Sequence, residues 1–252
     1  MHKIEQKGIK LANHSKVGVI GAGPAGSFFS FFLLDLAERL DININLDIFE
    51  PQDFQKCGPP CCNHCGGIVS ESLVQAMATE GINIPPDVVQ RGIESYILHM
   101  DVGSVRIDTP VEEKRIAAMF RGSGPRGATD VMTNSFDGFL LKLAIEKGAN
   151  HINERVTDLK YISGLPQITT KSGNSFTYDL LVGAVGVNTN SLKLFKDLKF
   201  GHIPPVTTKT YICEFLLGEE IVREYFANSM HLFLLKMPNL QFAAMIPKGN
   251  YV

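Results

Sequence analysis

VGVIGAGPAGSFFSFFLLDLAERLDININLDIFE, residues 17–50, decides the fold of this chain. An apolar strand (Val17, Val19, Ile20) runs into Gly21-Ala22-Gly23-Pro24-Ala25-Gly26, a G-x-G-x-x-G turn. A helical pattern follows from about Pro24 to Leu40, and a second strand from Ile44 to Phe49 ends on Glu50. Each piece has a chemical reason. Gly21 permits the tight turn, Gly23 lets backbone approach a diphosphate, and Gly26 lets the helix pack closely on the strand. A diphosphate at the helix N-terminus meets unpaired N–H groups and the positive end of the helix dipole. Glu50 lies 24 residues past Gly26. That is near the roughly 20-residue offset of a carboxylate that accepts from ribose hydroxyls. Glycines alone would signify a turn; strand, glycines, helix, second strand and terminal acid in this order specify a dinucleotide site. An acid at that position leaves little room for a 2′-phosphate, so the site suits FAD or NAD better than NADP.

The 252 residues are 44% hydrophobic and 20% charged, with a net charge of −2. That composition suits a globular chain with a substantial core and, lacking a Lys/Arg block, argues against nucleic acid as a partner. The opening MHKIEQKGIKLANHSK has no apolar core and does not read as a signal peptide. The longest apolar run, Phe28 to Leu34, is interrupted by Ser30 and closed by Asp35. It falls far short of the about 20 residues that span a membrane. The expected compartment is the cytoplasm, where cysteines stay reduced unless they bind metal or do redox chemistry.

Periodicity divides the rest. An amphipathic helix is expected over Ser70–Glu80, with Leu73, Val74 and Met77 on one face. Short β-like runs occupy Tyr96–Leu98, Val105–Ile107 and Ala117–Phe120, followed by a flexible turn from Gly122 to Gly127. Phe136, Phe139, Leu140, Leu143 and Ala144 mark a helix that ends at Gly148. Strands resume around His151–Val156, Tyr161–Ile162 and Ile168–Thr170, and Asp179–Ala184 reads as a buried parallel strand. β alternation returns over Thr210–Leu217, His231–Leu235 and Phe242–Ile246. The expected fold class is α/β. A Rossmann-like FAD/NAD(P)-binding domain takes 15–92 and 121–203, a β-rich substrate domain 93–120 and 204–252, and a polar arm 1–14. Phe28, Phe29, Phe31 and Phe32 are expected to form the buried side of the first helix. Cys213 is expected in the core, Arg121 and Arg126 in a solvated loop, and Asp137 in a structural role at its helix start. His99, His151 and His231 read as satisfied surface or core histidines.

The order of motifs resembles that of the FAD-dependent oxidoreductases grouped as geranylgeranyl reductases, and of their relatives the aromatic-ring flavin monooxygenases. Four stretches carry the resemblance beside the opening turn. Cys65-Gly66-Gly67-Ile68-Val69-Ser70 is similar to the family's Cys-Gly-Gly loop beside the flavin. Phe136-Asp137-x-x-Leu140, with Ala144 and Gly148-Ala149, matches the helix leading to the adenine-side strand that begins near Val156. Tyr178-Asp179-Leu180-Leu181-Val182-Gly183-Ala184-Val185-Gly186-Val187-Asn188 resembles the "VGADG" segment that closes over the cofactor, and Ile246-Pro247-Lys248-Gly249 the Pro-Lys-Gly turn of the substrate domain. The resemblance implies FAD held by Gly21, Ala22, Gly23, Pro24, Ala25, Gly26, Glu50, Gly66, Gly67, Val156, Ala184 and Gly186. It implies an external electron donor such as NAD(P)H and reduction of a carbon–carbon double bond in an isoprenoid or lipid-like substrate, with a peripheral membrane location if the substrate is a lipid. Hydroxylation is the enzymatic alternative. The chain departs from the family at Thr133, where an Arg is usual, and at Val185, where an Asp is usual. It also stops near Tyr251, before the third motif (Gly-Asp … Pro … Gly-x-Gly). These departures support a further alternative, a non-catalytic binding module or one subunit of a split enzyme whose second polypeptide supplies that motif.

Four of the five cysteines and one of the seven histidines fall in Cys57-Gly-Pro-Pro-Cys61-Cys62-Asn-His64-Cys65. Three readings compete. Cys57, Cys61, Cys62 and Cys65, with His64, could hold Zn²⁺ or an iron–sulfur cluster, although the spacing matches neither pattern. Cys62 and Cys65 could alternate between dithiol and disulfide. The third reading is a reduced loop lining the substrate region, with Cys65 the one candidate for a catalytic role.

Overall fold

The computed structural model describes residues 9–58, 61, 65–112, 114, 116–128, 134–187, 190–196, 198 and 201–252. In chain order it runs β1 (Lys16–Ile20), α1 (Pro24–Arg39), β2 (Asn45–Phe49), β3 (Ile68–Val69), α2 (Glu71–Thr79) and β4 (Val89–Ile93). Next come β5 (Ser95–Met100), β6 (Gly103–Asp108), β7 (Ile116–Met119), α3 (Phe136–Glu146) and β8 (Asn150–Ile152). Then follow β9 (Val156–Ile162), β10 (Leu165–Thr170), β11 (Ser175–Thr177) and β12 (Leu180–Gly183). The last elements are α4 (Leu192–Lys196), α5 (Glu219–Tyr225), β13 (Ser229–Leu234) and β14 (Ala243–Met245).

Two compact units divide the chain, Met1–Gln52 with Phe139–Lys209, and Asp53–Gly138 with Thr210–Val252. The sequence-based boundaries grouped 53–92 and 121–138 with the nucleotide half. In the structure these segments cluster with the second unit, because Gly58 N–H bonds to Gly124 O and because β3 and β4 both pair with β7.

The first unit is built on a sheet of order β12-β1-β2-β8, every pair parallel. Parallel neighbours need crossover connections, and α1 is the crossover from β1 to β2. An antiparallel sheet, β11-β10-β9, completes the unit. Ile20, Phe49, Val156, Leu159, Ile168 and Tyr178 form its core. The buried face of α1 is Gly26, Ser27, Ser30, Leu34 and Ala37, whereas Phe32 and Leu36 are exposed. This corrects the expectation that the phenylalanine face is buried. Small residues let a helix lie close to strands, and the two buried hydroxyls are satisfied by bonding back to Ala22 O and Gly26 O. At the other end of α1, Lys147 Nζ joins Asp35 and Glu38 at 2.7 and 2.8 Å. Its hydrogen bond holds the Asp35 carboxyl below the usual carboxylate range.

Tyr178 ties the sheet together. Its ring fills the space over Gly18, where a Cβ would come within 2.7 Å of it, and its hydroxyl donates to Asp47 Oδ2 at 2.9 Å. Burial first, and then the Asp47 charge, push the phenol's ionisation far above the ordinary tyrosine range. Tyr178→Phe is expected to cost about 1.5–3 kcal/mol, the worth of a hydrogen bond to a charged acceptor, measured by urea unfolding at neutral pH.

The second unit packs two sheets, β14-β13-β5-β6 and β3-β7-β4. Ile93, Ile116, Ala118 and Met230, with Ile68, Tyr96, Leu232 and Ile246, form the core between them. Helix α2 starts as expected, with Ser70 Oγ accepting from Leu73 N–H, but it buries only Met77. Two further expectations are corrected. Arg126 and Gly127 are exposed, as the solvated-loop reading expects, but residues 122–125 are buried, because 54–58 bonds onto them: Ser123 Oγ donates to Phe54 O and Cys57 Sγ to Ser123 O. Cys213 is exposed, as is every residue from 203 to 216. Within Thr210–Leu217 pairing begins only at Phe215, whose N–H and C=O exchange bonds with Val252. Among the described residues no helix is long and apolar enough to cross a membrane.

Candidate nucleotide site and glycine loop

The turn after β1 is fixed by the packing around it. Gly21 has φ +102, donates its N–H to Phe49 O at 2.9 Å, and would place a Cβ 2.5 Å from Ala184 O. Only glycine fits there. A Cβ on Gly26 would lie 1.9 Å from Gly21 O and 3.2 Å from Ala184 Cβ. Helix α1 then begins with Gly23 at its N-cap, Pro24 in its first turn, no capping side chain and no acid in the first turn. Its N-terminus keeps its positive electrostatic end undiluted.

Glu50 closes the same corner. Its Oε2 accepts from Ala22 N–H at 3.1 Å and its Oε1 from Gln52 N–H at 2.9 Å, and the residue is 9% exposed. A carboxylate has about four lone-pair sites, so each oxygen retains acceptor capacity beyond these bonds. His151 Nε2 meets Glu50 O at 3.0 Å, which orients the backbone that carries the acid. Gly21, Ala22, Gly26, Glu50 and Ala184 are thus brought together. Val156 lies in the same unit, with its side chain in the core beside Ile20 and Phe49. Gly186 has φ +70, with open space where a side chain would be.

In the second unit two of the quoted stretches meet. Gly67 (φ +62) would place a Cβ 1.9 Å from Met119 O and 2.8 Å from Lys248 Nζ, and its carbonyl accepts from Met119 N–H at 2.8 Å. Gly66 faces Ile246 Cδ1 in the same way. Lys248 is 8% exposed, with its ammonium 4.7 Å from the Phe120 ring centroid. A long apolar stem and a cation over an aromatic face account for its burial. Sequence reading had noted Lys248 only as part of a turn.

The cysteines separate. Cys57 Sγ lies in hydrogen-bond reach of Ser123 O and Cys61 Sγ of Gly58 O. Among the described residues no group of His, Cys, Asp and Glu is arranged to hold a metal ion. Cys62 and His64 lie outside the described residues. Cys65 is described as a free, half-buried thiol.

Arg121 and Asp137, read from sequence as loop and helix start, form a buried fork. Nε and Nη2 of Arg121 bond to Oδ1 and Oδ2 of Asp137 at 3.0 and 2.5 Å, and Asp137 is 1% exposed.

A parallel β-α-β sheet with this glycine turn and strand-end acid, joined to a β-rich unit, is a Rossmann-like FAD/NAD(P)-binding fold with a second domain. Solved structures share it. 2,6-Dihydroxypyridine-3-hydroxylase from Arthrobacter nicotinovorans superposes with a TM-score of 0.55 at 18% identity, over 89% of this chain and 50% of that one. A flavoprotein/dehydrogenase from Cytophaga hutchinsonii gives 0.51 at 16% identity, over 87% of this chain and 50% of that one. The chain therefore spans about half the length of the solved structures it matches. No family model and no curated protein matches its sequence.

Proposed function

We propose that this chain provides the FAD-binding part, with a portion of the substrate region, of a flavin-dependent oxidoreductase that reduces a carbon–carbon double bond in an apolar, isoprenoid- or lipid-like substrate. The observation that carries the proposal is the corner formed by Gly21, Gly26, the uncapped start of α1 and Glu50. These residues fit FAD. The N–H groups of Ala25 and Gly26 would hold the diphosphate, Pro24 having none to offer, and Glu50 would accept from ribose hydroxyls. Ala22, Gly23, Ala184 and Gly186 would bring backbone to the cofactor, as would the segment at Val156. The resemblance adds Gly66 and Gly67 of the Cys-Gly-Gly loop, with Cys65 lining the substrate region, as residues proposed on that ground alone. When bound, FAD supplies two-electron transfer to and from carbon, with NAD(P)H as the donor proposed.

The assignment of double-bond reduction rests on the resemblance of the Cys-Gly-Gly and Pro-Lys-Gly stretches. Hydroxylation is the second reading, supported by the structural likeness to 2,6-dihydroxypyridine-3-hydroxylase. Anaerobic turnover with a reductant supports reduction, and strict oxygen dependence supports hydroxylation. A non-catalytic FAD- or NAD-binding module is the reading that Val185 favours, standing where the resembled family has an Asp.

The test is FAD titration of the purified chain, followed by flavin fluorescence quenching and by bleaching of the visible band with dithionite. Saturable binding is expected. Glu50→Gln keeps an acceptor for Ala22 N–H but removes the charge, and is expected to weaken FAD binding about tenfold to a hundredfold. Failure of the wild-type chain to bind FAD overturns the proposal.

A further inference from the structure

The sheet β14-β13-β5-β6 carries a histidine pair on the face opposite the core side chains Tyr96, Met230 and Leu232. Parallel pairing of β5 with β13 sets His231 opposite Ile97 and Phe233 opposite His99, and β6 places Ser104 opposite His99. His99 Nε2 lies 3.1 Å from His231 Nδ1, and His99 Nδ1 lies 2.8 Å from Ser104 Oγ. The His99 ring stacks on Phe233 at 4.5 Å, and Phe226 meets the His231 ring at 5.2 Å in an edge arrangement. His231 Nε2 is buried and has no hydrogen-bond partner.

That orphan atom fixes the protons. A buried N–H without an acceptor is costlier than a bare acceptor nitrogen. The favoured neutral arrangement therefore leaves Nε2 of His231 unprotonated. Its Nδ1–H donates to His99 Nε2, and His99 Nδ1–H donates to Ser104 Oγ. A proton added to this chain has no good place. On His231 it creates the buried, unsatisfied Nε2–H. On His99 it turns the accepting Nε2 into a donor, so that two N–H groups meet across 3.1 Å unless the His231 proton moves to the same orphan Nε2.

We propose that the His99–His231 hydrogen bond is a proton-operated latch between β5 and β13, closed in the neutral pair and released by protonation. The neighbouring bond between Ser95 Oγ and Ser229 Oγ, 2.7 Å, joins the same two strands and is indifferent to pH. Release is therefore local to the end of the sheet that holds His99, Phe233 and Ser104. Burial first, and then the His99 charge, hold the His231 imidazole below the ordinary histidine range. The other charges nearby belong to their own partners or to solvent. On β6, Arg106 and Asp108 pair with each other at 2.6 Å. On α5, Glu219, Glu220, Arg223 and Glu224 are exposed. β14 contributes Met245 opposite His231 and no titratable group.

An unfolded histidine takes up its proton near pH 6.5, whereas the latched pair resists it. The stabilisation is therefore complete above that pH and is lost as pH falls through it toward the lower value of the folded pair. Hydrogen exchange of the full chain at pH 7.5 and pH 5, corrected for intrinsic rates, reads the effect. Amides of Leu98–Met100 and Leu232–Leu234 are expected to lose about tenfold of their protection in the wild type at pH 5. His231→Phe, placed between Phe226 and Phe233, is expected to show no such loss. An NMR titration of the wild-type imidazoles serves as a second reading that needs no variant: His231 should titrate below the ordinary histidine value. Equal loss of protection in wild type and variant, or a His231 that titrates at the ordinary histidine value, overturns the proposal.

Discussion

Gly26→Ala is expected to destabilise the chain by about 3 kcal/mol or more and to abolish FAD retention. The added methyl would sit 1.9 Å from Gly21 O, a backbone atom, and 3.2 Å from Ala184 Cβ. None of these neighbours is free to yield. Gly21 N–H is bound to Phe49 O and Ala184 N–H to Ile20 O, and each follows directly on a strand of the parallel sheet, β1 and β12. Helix α1 must therefore lift from β1, which moves the N–H groups of its first turn and separates Ala22 from Glu50. Urea unfolding and FAD titration measure the two effects together. Leu36→Gln, at an exposed position further along the same helix, serves as control and should leave both unchanged. An unaltered unfolding midpoint for Gly26→Ala would show that the turn is not packed as described.

The second large effect lies at the start of α3. Asp137→Ala is expected to cost about 2–3 kcal/mol, because it removes the buried carboxylate that accepts two hydrogen bonds from the partly exposed Arg121 guanidinium. The surroundings amplify the loss. Asp137 N–H donates to Arg121 O at 3.1 Å, Phe136 N–H to Phe120 O at 3.2 Å, and Ser135 Oγ donates to Arg121 O while accepting from Gly138 N–H. Backbone and side chain of Arg121 thus both position the helix start. The double variant Arg121→Met, Asp137→Leu should recover much of the lost stability, since apolar replacement of a buried pair is often neutral. Chemical denaturation of the two single variants and the double variant completes the cycle. Additive losses would mean that the two residues act independently.

Which features were legible in the sequence follows from how locally each is encoded. Strand β1, the glycine turn, α1 and β2 lie in one continuous stretch, and their period and punctuation are unambiguous. Glu50 could be located by counting. The buried face of α1 could not, because Gly26, Ser27, Ser30 and Ala37 pack through smallness, which a hydrophobic pattern does not register, while four phenylalanines dominate it. The buried loop 122–125 reads as flexible from its glycines. Its burial depends on hydrogen bonds exchanged with residues 54–58, far away in sequence. The Arg121–Asp137 fork and the meeting of Gly67 with Lys248 are likewise products of tertiary pairing. Each histidine of the latch is unremarkable alone, and only the β5–β13 register joins them. Cys213 was misplaced for the opposite reason: its apolar neighbours suggest a core strand, yet the ladder with residues 250–252 extends only to Phe215.

That run of uncovered chain from Ile203 to Leu216 has a practical side. Val206, Tyr211 and Phe215 turn oily surface to water, with Cys213 among them. Peptide groups in such a stretch are a template for stray β pairing, and no proline or cluster of like charges blunts it between Val206 and Leu216. Isolated in concentrated solution, the polypeptide will be sticky and prone to clumping through this strip, and air oxidation at Cys213 will weld the clumps together. Dilute, reducing buffers are the conditions under which its chemistry should be assayed.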